Sequence, residues 1–483
     1  MSCEVYQCKA LISPLQELSC AVIARLCAHL MTDIDTLVHA RWVIPVVPRA
    51  DVLEHQAIAI ADGKIVDVLP SAEATQRYRA ATTHTLNTHA VTPGLVNCHT
   101  HAAMALLRGV GDDLPLMRWL KDRIWPLEAA LISADFVHDG TQLAALEMLR
   151  SGTTTCSDMY FYPEASLRAL RSMGMRAVAG IVAIEFPTAY AADADDYLRK
   201  GLATRDAFRN DPLVTFTLAP HAPYTVADQT LKRIGVLAEE LDLPIHTHVH
   251  ETEEEISESI AQHGCRPLQR FDRLGIVSER LIAVHAVHLN EHEIALLAQR
   301  GASVAHCPAS NLKLGSGLAP IAKLSAAGVN IAIGTDGAAS NNRIDMLAEL
   351  RLAALLAKGV AHDATAFGAP EALESATLGG ARALGLDRNI GSIEVGKQAD
   401  LVAFDLAAVE TQPLYDVVSQ IVYAAGREQV TDAWIAGKPV VHKRHALADS
   451  DGQLEKTLMA SVGAWQNRCR QVLLTSGAVS AST

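Results

Sequence analysis

From Pro93 onward the sequence alternates short apolar runs with helix-patterned stretches, the signature of a parallel sheet joined by crossover helices. Eight runs can be counted, at residues 95–99, 153–158, 176–184, 213–219, 243–248, 281–285, 303–306 and 330–334. Helical patterns fill most of the intervals, as at 139–150, 231–241 and 291–299. Eight βα units in about 300 residues fit an α/β fold, a (β/α)₈ TIM-like barrel with insertions, whose usual size is about 250. In such a barrel the carboxyl ends of all strands converge on one face, so residues distant in sequence meet there.

The flanks have a different texture. Runs of β character at 41–47, 57–61, 64–69 and 85–91 precede the barrel, with Asp62-Gly63 as a hairpin turn. β character returns after Leu386, at 393–397, 400–405 and 430–441. The expected organisation is a small composite β-sandwich from 32–91 plus 390–445, a barrel over 92–389, and a helical C-terminal tail over 446–483 with its helix at 454–474. Residues 1–31 read as an N-terminal extension, expected to be poorly ordered. They lack the strongly basic segment that a signal peptide requires.

Of the 483 residues 49% are apolar and 20% charged, a balance that favours a substantial core over disorder. A net charge of −13 argues against a nucleic-acid or anionic-membrane surface, since both need clustered Lys and Arg. No apolar run approaches the roughly 20 residues of a membrane helix. The nine cysteines contain no C-x-x-C pair. They read neither as a disulfide framework nor as a cysteine zinc site, and they suit a reducing cytoplasm.

Polar residues gather where the strand candidates end. His99 and His101 follow the first, His221 the fourth, His248 the fifth, His285 the sixth, His306 the seventh and Asp336 the eighth. The i, i+2 pair His99 and His101 points both rings to one side of an extended backbone, where they can chelate a divalent ion. Alone that motif is weak. With His248 and Asp336 on the same face, three nitrogens and a carboxylate suit Zn²⁺ or Fe²⁺. His246, His248 and His250 alternate onto one face, so spacing leaves the fifth-strand ligand open. Depth favours His248, because His246 lies further inside and His250 enters the loop. Glu251, three residues after His248, would bring an acid beside the metal.

His285 sits at the level of the metal residues and reads as an acid–base imidazole rather than a core histidine. His288 reads as a loop residue, and His306 stays balanced between packing and function. Asp336, in Gly334-Thr335-Asp336-Gly337, reads as a ligand or proton acceptor rather than a turn aspartate. Glu128, taken by itself, decorates a helix start.

The stretch Thr92-Pro93-Gly94-Leu95-Val96-Asn97-Cys98-His99-Thr100-His101 resembles the first-strand signature of the amidohydrolase superfamily. Residues 390–401, containing Ile393-Glu394-Val395-Gly396-Lys397, resemble its second sandwich segment. More narrowly, the chain is similar to the methylthioadenosine/S-adenosylhomocysteine deaminases of the triazine hydrolase-like group. Trp125-Pro126-Leu127-Glu128, His221-Ala222-Pro223-Tyr224-Thr225, His248-Val249-His250-Glu251-Thr252 and the runs 106–109, 307–314 and 334–342 carry that match.

The resemblance implies one divalent metal ion per subunit, Zn²⁺ first and Fe²⁺ or Mn²⁺ as alternatives, held by His99, His101, His248 and Asp336. It selects His248 from the three contenders. It implies hydrolytic deamination of an adenine nucleoside (5′-methylthioadenosine, S-adenosylhomocysteine or adenosine) to the inosine analogue and ammonia. Asp336 would take a proton from water, His285 would orient or polarise that water, and Glu251 would protonate the ring at N1. Glu128 would accept the ribose hydroxyls, and His221 would contact the substrate. Relatives are commonly homo-oligomers.

One departure stands out: residues 186–196 are acidic where many relatives carry an arginine near the substrate. The alternatives on the same metal set are guanine or cytosine deamination and triazine hydrolysis. Glu128 and Glu251 favour a ribosylated purine over a triazine. The other zinc deaminase design needs P-C-x-x-C, which is absent. A non-catalytic barrel scaffold is the least favoured reading, because every ligand and proton-transfer candidate is present.

Overall fold

The computed structural model describes residues 31–475. The extension expected over 1–31 therefore lies outside the described residues apart from Met31, as does the tail beyond Thr475. Among the described residues no helix is long and apolar enough to cross a membrane.

Four strands open the chain: β1 (Thr32–Val43), β2 (Leu53–Ala61), β3 (Lys64–Pro70) and β4 (Tyr78–Pro93). Eight follow in the barrel: β5 (Leu95–Thr100), β6 (Thr153–Asp158), β7 (Arg176–Ala183), β8 (Val214–Pro220), β9 (Ile245–Val249), β10 (Leu281–His285), β11 (Ser303–His306) and β12 (Asn330–Ile333). Each of the eight is hydrogen-bonded to its sequence neighbour, and every such pairing is parallel. Every residue of β5, β6 and β7 is buried, as expected where helices cover one face of a parallel sheet and the barrel interior the other.

The cylinder draws together where β12 ends beside β5. The Asp336 N–H donates to the His99 carbonyl at 3.0 Å. Gly334 permits this approach, since a Cβ there would lie 2.9 Å from the His99 backbone nitrogen. Glycine is needed at Gly140 for a similar reason. This residue of helix Ala134–Arg150 faces the turn after His101, where an added Cβ would meet the Ala103 carbonyl at 2.3 Å. The helix itself starts on the side chain of Ser133, which accepts from the Phe136 N–H, and buries Phe136, Val137, Ala144, Ala145, Met148 and Leu149.

The flanks form one mixed eight-stranded sheet, adding β13 (Leu401–Asp405), β14 (Val430–Ile435), β15 (Lys438–His442) and β16 (His445–Ala446). Its order is β16-β15-β14-β13-β4-β1-β2-β3, and it encloses its own core of Val38, Ile58, Ile65, Leu86, Leu401 and Trp434. Three local expectations are corrected. The run expected at 41–47 is the end of a strand that starts at Thr32 and stops at Val43, because Val46 turns the chain at φ 72°. Its first half escapes a pattern search because Thr32, Asp33 and Asp35 sit outward in parallel register with β4. Residues 393–397 form no strand: Gly396 lies at φ 96°, and Ile393 and Gly396 instead donate singly to Pro45 and Ile65. Residues 430–441 are two strands, split by Ala436 and Gly437 at φ 47° and 72°.

A buried ion pair locks this sheet to the amino-terminal end of the barrel. Arg176, at the start of β7, donates to Asp400 from Nε at 2.7 Å and Nη2 at 3.0 Å, with both side chains at most 5% exposed. Asp400 also accepts the Ala436 N–H at 2.7 Å. Removing one partner strands the other charge in a dry interface. Asp400→Ala should therefore lower unfolding free energy by about 3–5 kcal/mol, read as an earlier urea midpoint, without altering the residues of the opposite barrel mouth.

Candidate active site

At the carboxyl end of the barrel, three imidazoles are oriented by what holds their Nδ1 atoms. The His101 Nδ1–H donates to the Met159 carbonyl at 2.6 Å, and the His248 Nδ1–H donates to the His221 carbonyl at 2.6 Å. Carbonyls only accept, so both rings carry their proton on Nδ1 and present a bare Nε2. His99 has its Nδ1 at 3.0 Å from Nε2 of the deeper His246. Its own Nε2 lies 3.2 Å from Nε2 of His248. Asp336 Oδ1 completes the group, 3.4 Å from His99 Nε2 and 3.2 Å from His101 Nε2.

The bare Nε2 atoms of His101 and His248 thus converge with His99 Nε2 and the Asp336 carboxylate. A tetrahedral ion with bonds of about 2.0–2.1 Å spaces its ligand atoms about 3.3 Å apart, so this donor set fits a divalent cation. Burial supports the same state. It pulls His99 down to about 4 and His248 well below the ordinary histidine value, keeping both neutral and ready to ligate. Burial alone would raise Asp336, but the His99 contact and the facing imidazoles outweigh it and hold the carboxyl well below the usual range. Asp336 Oδ2 accepts from Ser310 at 2.6 Å and Ser340 at 2.7 Å.

Glu251 and His285 lie alongside. Glu251 Oε2 is 3.8 Å from His285 Nε2, and Nδ1 of His285 donates to Asn311 Oδ1 at 2.8 Å. Burial raises Glu251, with Asp336 adding to the rise and His285 opposing it. Burial lowers His285, yet the charges of Glu251 and Asp336 outweigh it and the net shift is upward. Each group thus keeps its proton to higher pH than an exposed counterpart. His285 and Asp336 both adopt left-handed backbone, at φ 69° and 57°, and such strain persists where surrounding packing enforces a side-chain direction.

The cavity above these groups has a volume of about 750 Å³ and is lined by His101, His221, His248, Glu251, His285 and Asp336 at one end. Glu128 lines it further out, on helix Trp125–Leu131, accepting from the Tyr160 hydroxyl at 2.7 Å. Burial pushes this carboxyl up to about 7. His221 is braced by Thr225, its Nδ1 3.1 Å from Oγ1, and burial lowers it to about 3. The remaining wall is largely apolar: Trp119, Ile132, Ile184, Phe186 and Leu314. Among the described residues no Lys or Arg lines the cavity.

The eight residues singled out from the sequence, His99, His101, Glu128, His221, His248, Glu251, His285 and Asp336, thus border one cavity or its floor. His246 sits beneath His99, and His250 is tied to the loop, accepting the Leu268 N–H at 3.1 Å. His306 is buried with neither ring nitrogen bonded to protein, and it is not among the lining residues. The acidic segment 186–196 divides: Phe186 to Ala189 line the cavity, whereas Asp193 caps the helix Ala194–Phe208 and Asp196 pairs with Lys200.

Sequence reasoning missed the supporting groups. Ser310 and Asn311 lie inside the run 307–314 already singled out, but nothing in that run says which side chains reach Asp336 and His285. Tyr160 follows β6 by two residues, and reading strand ends for aromatics as well as for His and Asp would have found it. Glu349 gave no signal at all. Buried and raised to about 8 by burial, it accepts the Ala309 N–H at 3.1 Å and Asn341 Nδ2 at 2.8 Å, tying together the two loops that hold Asp336.

Residues 90–440 match the model of the amidohydrolase family. A 5-methylthioadenosine/S-adenosylhomocysteine deaminase from Teredinibacter turnerae is 45% identical over 437 residues, covering 90% of this chain and 98% of the relative. An adenosine deaminase structure from Xanthomonas campestris, with bound zinc, is 54% identical with a TM-score of 0.89, covering 91% of this chain and 100% of that one. An atrazine chlorohydrolase from Arthrobacter aurescens, complexed with zinc, shares the fold at 24% identity and a TM-score of 0.81, over 89% of this chain and 100% of its own.

Proposed function

The chain belongs to the amidohydrolase family, and within it we propose that the protein hydrolytically deaminates the adenine ring of a nucleoside, releasing ammonia and leaving the inosine analogue. The observation that carries this reading is the pairing of three Nδ1-anchored imidazoles and Asp336 with an acid, Glu251, on the same cavity floor. His99, His101, His248 and Asp336 hold one divalent cation, with Zn²⁺ the preferred ion. When bound, that cation supplies a Lewis acid that lowers the pKa of water towards about 7.

The remaining chemistry belongs to the side chains. Asp336, ionised throughout the working range, accepts a proton from the attacking water. His285, with Nδ1 committed to Asn311, presents Nε2 to orient that water. The water oxygen bonds to C6 of the purine while Glu251 delivers its proton to N1, so negative charge does not build up on the ring. Asp336 then passes the proton it took from water to the amino group, the C6–N bond breaks as the C6 hydroxyl returns its proton to Glu251, and ammonia leaves with the C6 carbonyl formed. Glu128 has one oxygen taken by Tyr160 and uses its remaining capacity for the ribose hydroxyls. His221 borders the bound nucleoside.

The cavity wall favours an apolar 5′ group. With no Lys or Arg lining it among the described residues, the zwitterionic end of S-adenosylhomocysteine finds apolar walls and Glu128. Burying a charged group without a partner is costly, whereas a methylthio group gains from the same wall. In a panel of adenosine, 5′-methylthioadenosine, S-adenosylhomocysteine, guanine and cytosine, kcat/KM for 5′-methylthioadenosine should exceed that for S-adenosylhomocysteine at least about tenfold. Ammonia release and the fall in adenine absorbance read the outcome. Turnover of guanine or cytosine alone would overturn the assignment to nucleosides.

A further inference from the structure

A second constellation of metal-ligating side chains lies in the flanking sheet, on elements separate from the barrel mouth. His84 projects from β4, Asp432 from β14 and His442 from β15, and a ligand atom from each lies within 4.8 Å of the others. Asp432 and His442 face each other across the β14–β15 hairpin, whereas His84 comes from β4, far away in sequence, so hairpin register accounts for the pair but not for His84. His442 Nδ1 stands 2.6 Å from Asp432 Oδ1, and the His84 ring meets the His442 ring edge-on at 5.8 Å between centroids.

From this juxtaposition we propose that His84, Asp432 and His442 form a second binding site for a divalent transition-metal cation of the Zn²⁺ class, separate from the catalytic cavity. Two imidazoles and one carboxylate are a borderline donor set, suited to Zn²⁺ rather than to Mg²⁺ or Ca²⁺, which take oxygen ligands. The site is built on one side and open on the other. The Asp432 side chain is 5% exposed, whereas that of His442 is 42% exposed, so an ion can enter and keep solvent in its remaining positions.

His84 makes ring contacts to Trp434 and His442 but no hydrogen bond among the described residues, leaving its nitrogens free to ligate. Asp432 supplies the negative charge of the donor set, its Oδ1 lying beside the His442 ring. The neighbouring Trp434, whose ring packs edge-on against that of His84, is fully buried with no partner for its Nε1–H among the described residues. A bound ion would cross-link β4 to β14 and β15, strands that β13 separates in the sheet.

The simpler reading is that His442 and Asp432 are an ordinary half-exposed ion pair with His84 packed nearby. The two readings differ in what His84 contributes. Untagged full-length protein, its His84→Phe variant and its His442→Gln variant would be dialysed against the same micromolar free Zn²⁺ and their zinc measured by elemental analysis. Phe keeps the ring that packs on Trp434 and removes the nitrogens. The expected result is one zinc equivalent fewer in each variant than in the parent, with deaminase turnover unchanged and melting temperatures in chelator close to the parent's. Zn²⁺ should also raise the parent's melting temperature more than that of either variant. Equal zinc content in all three proteins would overturn the proposal, as would loss of an equivalent in His442→Gln but not in His84→Phe. Because the readout is a difference between parent and variant, it stands whether or not the barrel site proves to hold zinc.

Discussion

Glu251→Gln is expected to lower kcat for adenosine-type substrates by roughly 10²–10⁴-fold, the range of a positioned general acid. Bound zinc should be unchanged. The amide is nearly isosteric with the carboxyl and can still approach N1, but it has no labile proton to give. The cost therefore falls on the chemical step, so kcat and kcat/KM should drop together. Stability should not suffer. Burial raises the Glu251 pKa in the folded chain above its unfolded value. Such a group's stabilising contribution is present below the unfolded pKa and is lost as pH rises through the folded one. At pH 8 the glutamine variant should thus be at least as stable as the parent. The same shift has a kinetic consequence: parent activity that depends on protonated Glu251 should decline as pH rises through the raised pKa, and that limb should vanish in the variant. Glutamine-variant turnover within about fivefold of the parent on every nucleoside would remove Glu251 from the proton path.

The convergence of His99, His101, His248 and Asp336 was legible because barrel geometry converts strand ends into neighbours. His99 and His101, separated by one residue, needed only an extended backbone to face the same way, and β5 provides it through Thr100. The choice among His246, His248 and His250 was different. All three share an alternation, and what distinguishes them is depth and partner: His246 under His99, His248 fixed by the His221 carbonyl, His250 held by Leu268. Those partners come from other elements of the fold, so no local pattern encodes them.

Glu128 marks the same limit. Its helix start is visible in sequence, but the hydroxyl that Tyr160 brings to it crosses from a different βα unit. In the flanking sheet, the first half of β1 was hidden because its outward acidic residues mask an alternation read by parallel pairing with β4. The run 393–397 misled in the opposite direction, alternating apolar Ile393 and Val395 with Glu394 yet interrupted by a glycine at positive φ. His84 was invisible as a neighbour of Asp432 and His442 for the reason that hid Tyr160: the fold brings it to their hairpin from a strand far away in sequence.

Asp336→Asn should separate the two duties proposed for one carboxylate, metal ligand and proton acceptor. The substitution keeps size and shape, and its surroundings can accommodate an amide. Gly337 N–H donates to Oδ1 at 2.8 Å and would do so to the amide oxygen, while the hydroxyls of Ser310 and Ser340, now donors to Oδ2, can rotate to accept from the amide nitrogen. The chain should fold. What is lost is negative charge between His99 and His101, so zinc affinity should fall. Were Asp336 only a ligand, raising free zinc until the site fills would restore turnover. A proton acceptor cannot be replaced that way. The expected result is that turnover stays roughly 10²–10⁴-fold below the parent even at full zinc occupancy, because an amide does not take a proton from water near neutral pH. Full recovery of kcat on saturation with zinc would assign Asp336 to metal binding alone and move the proton-accepting role to His285, the imidazole beside Glu251.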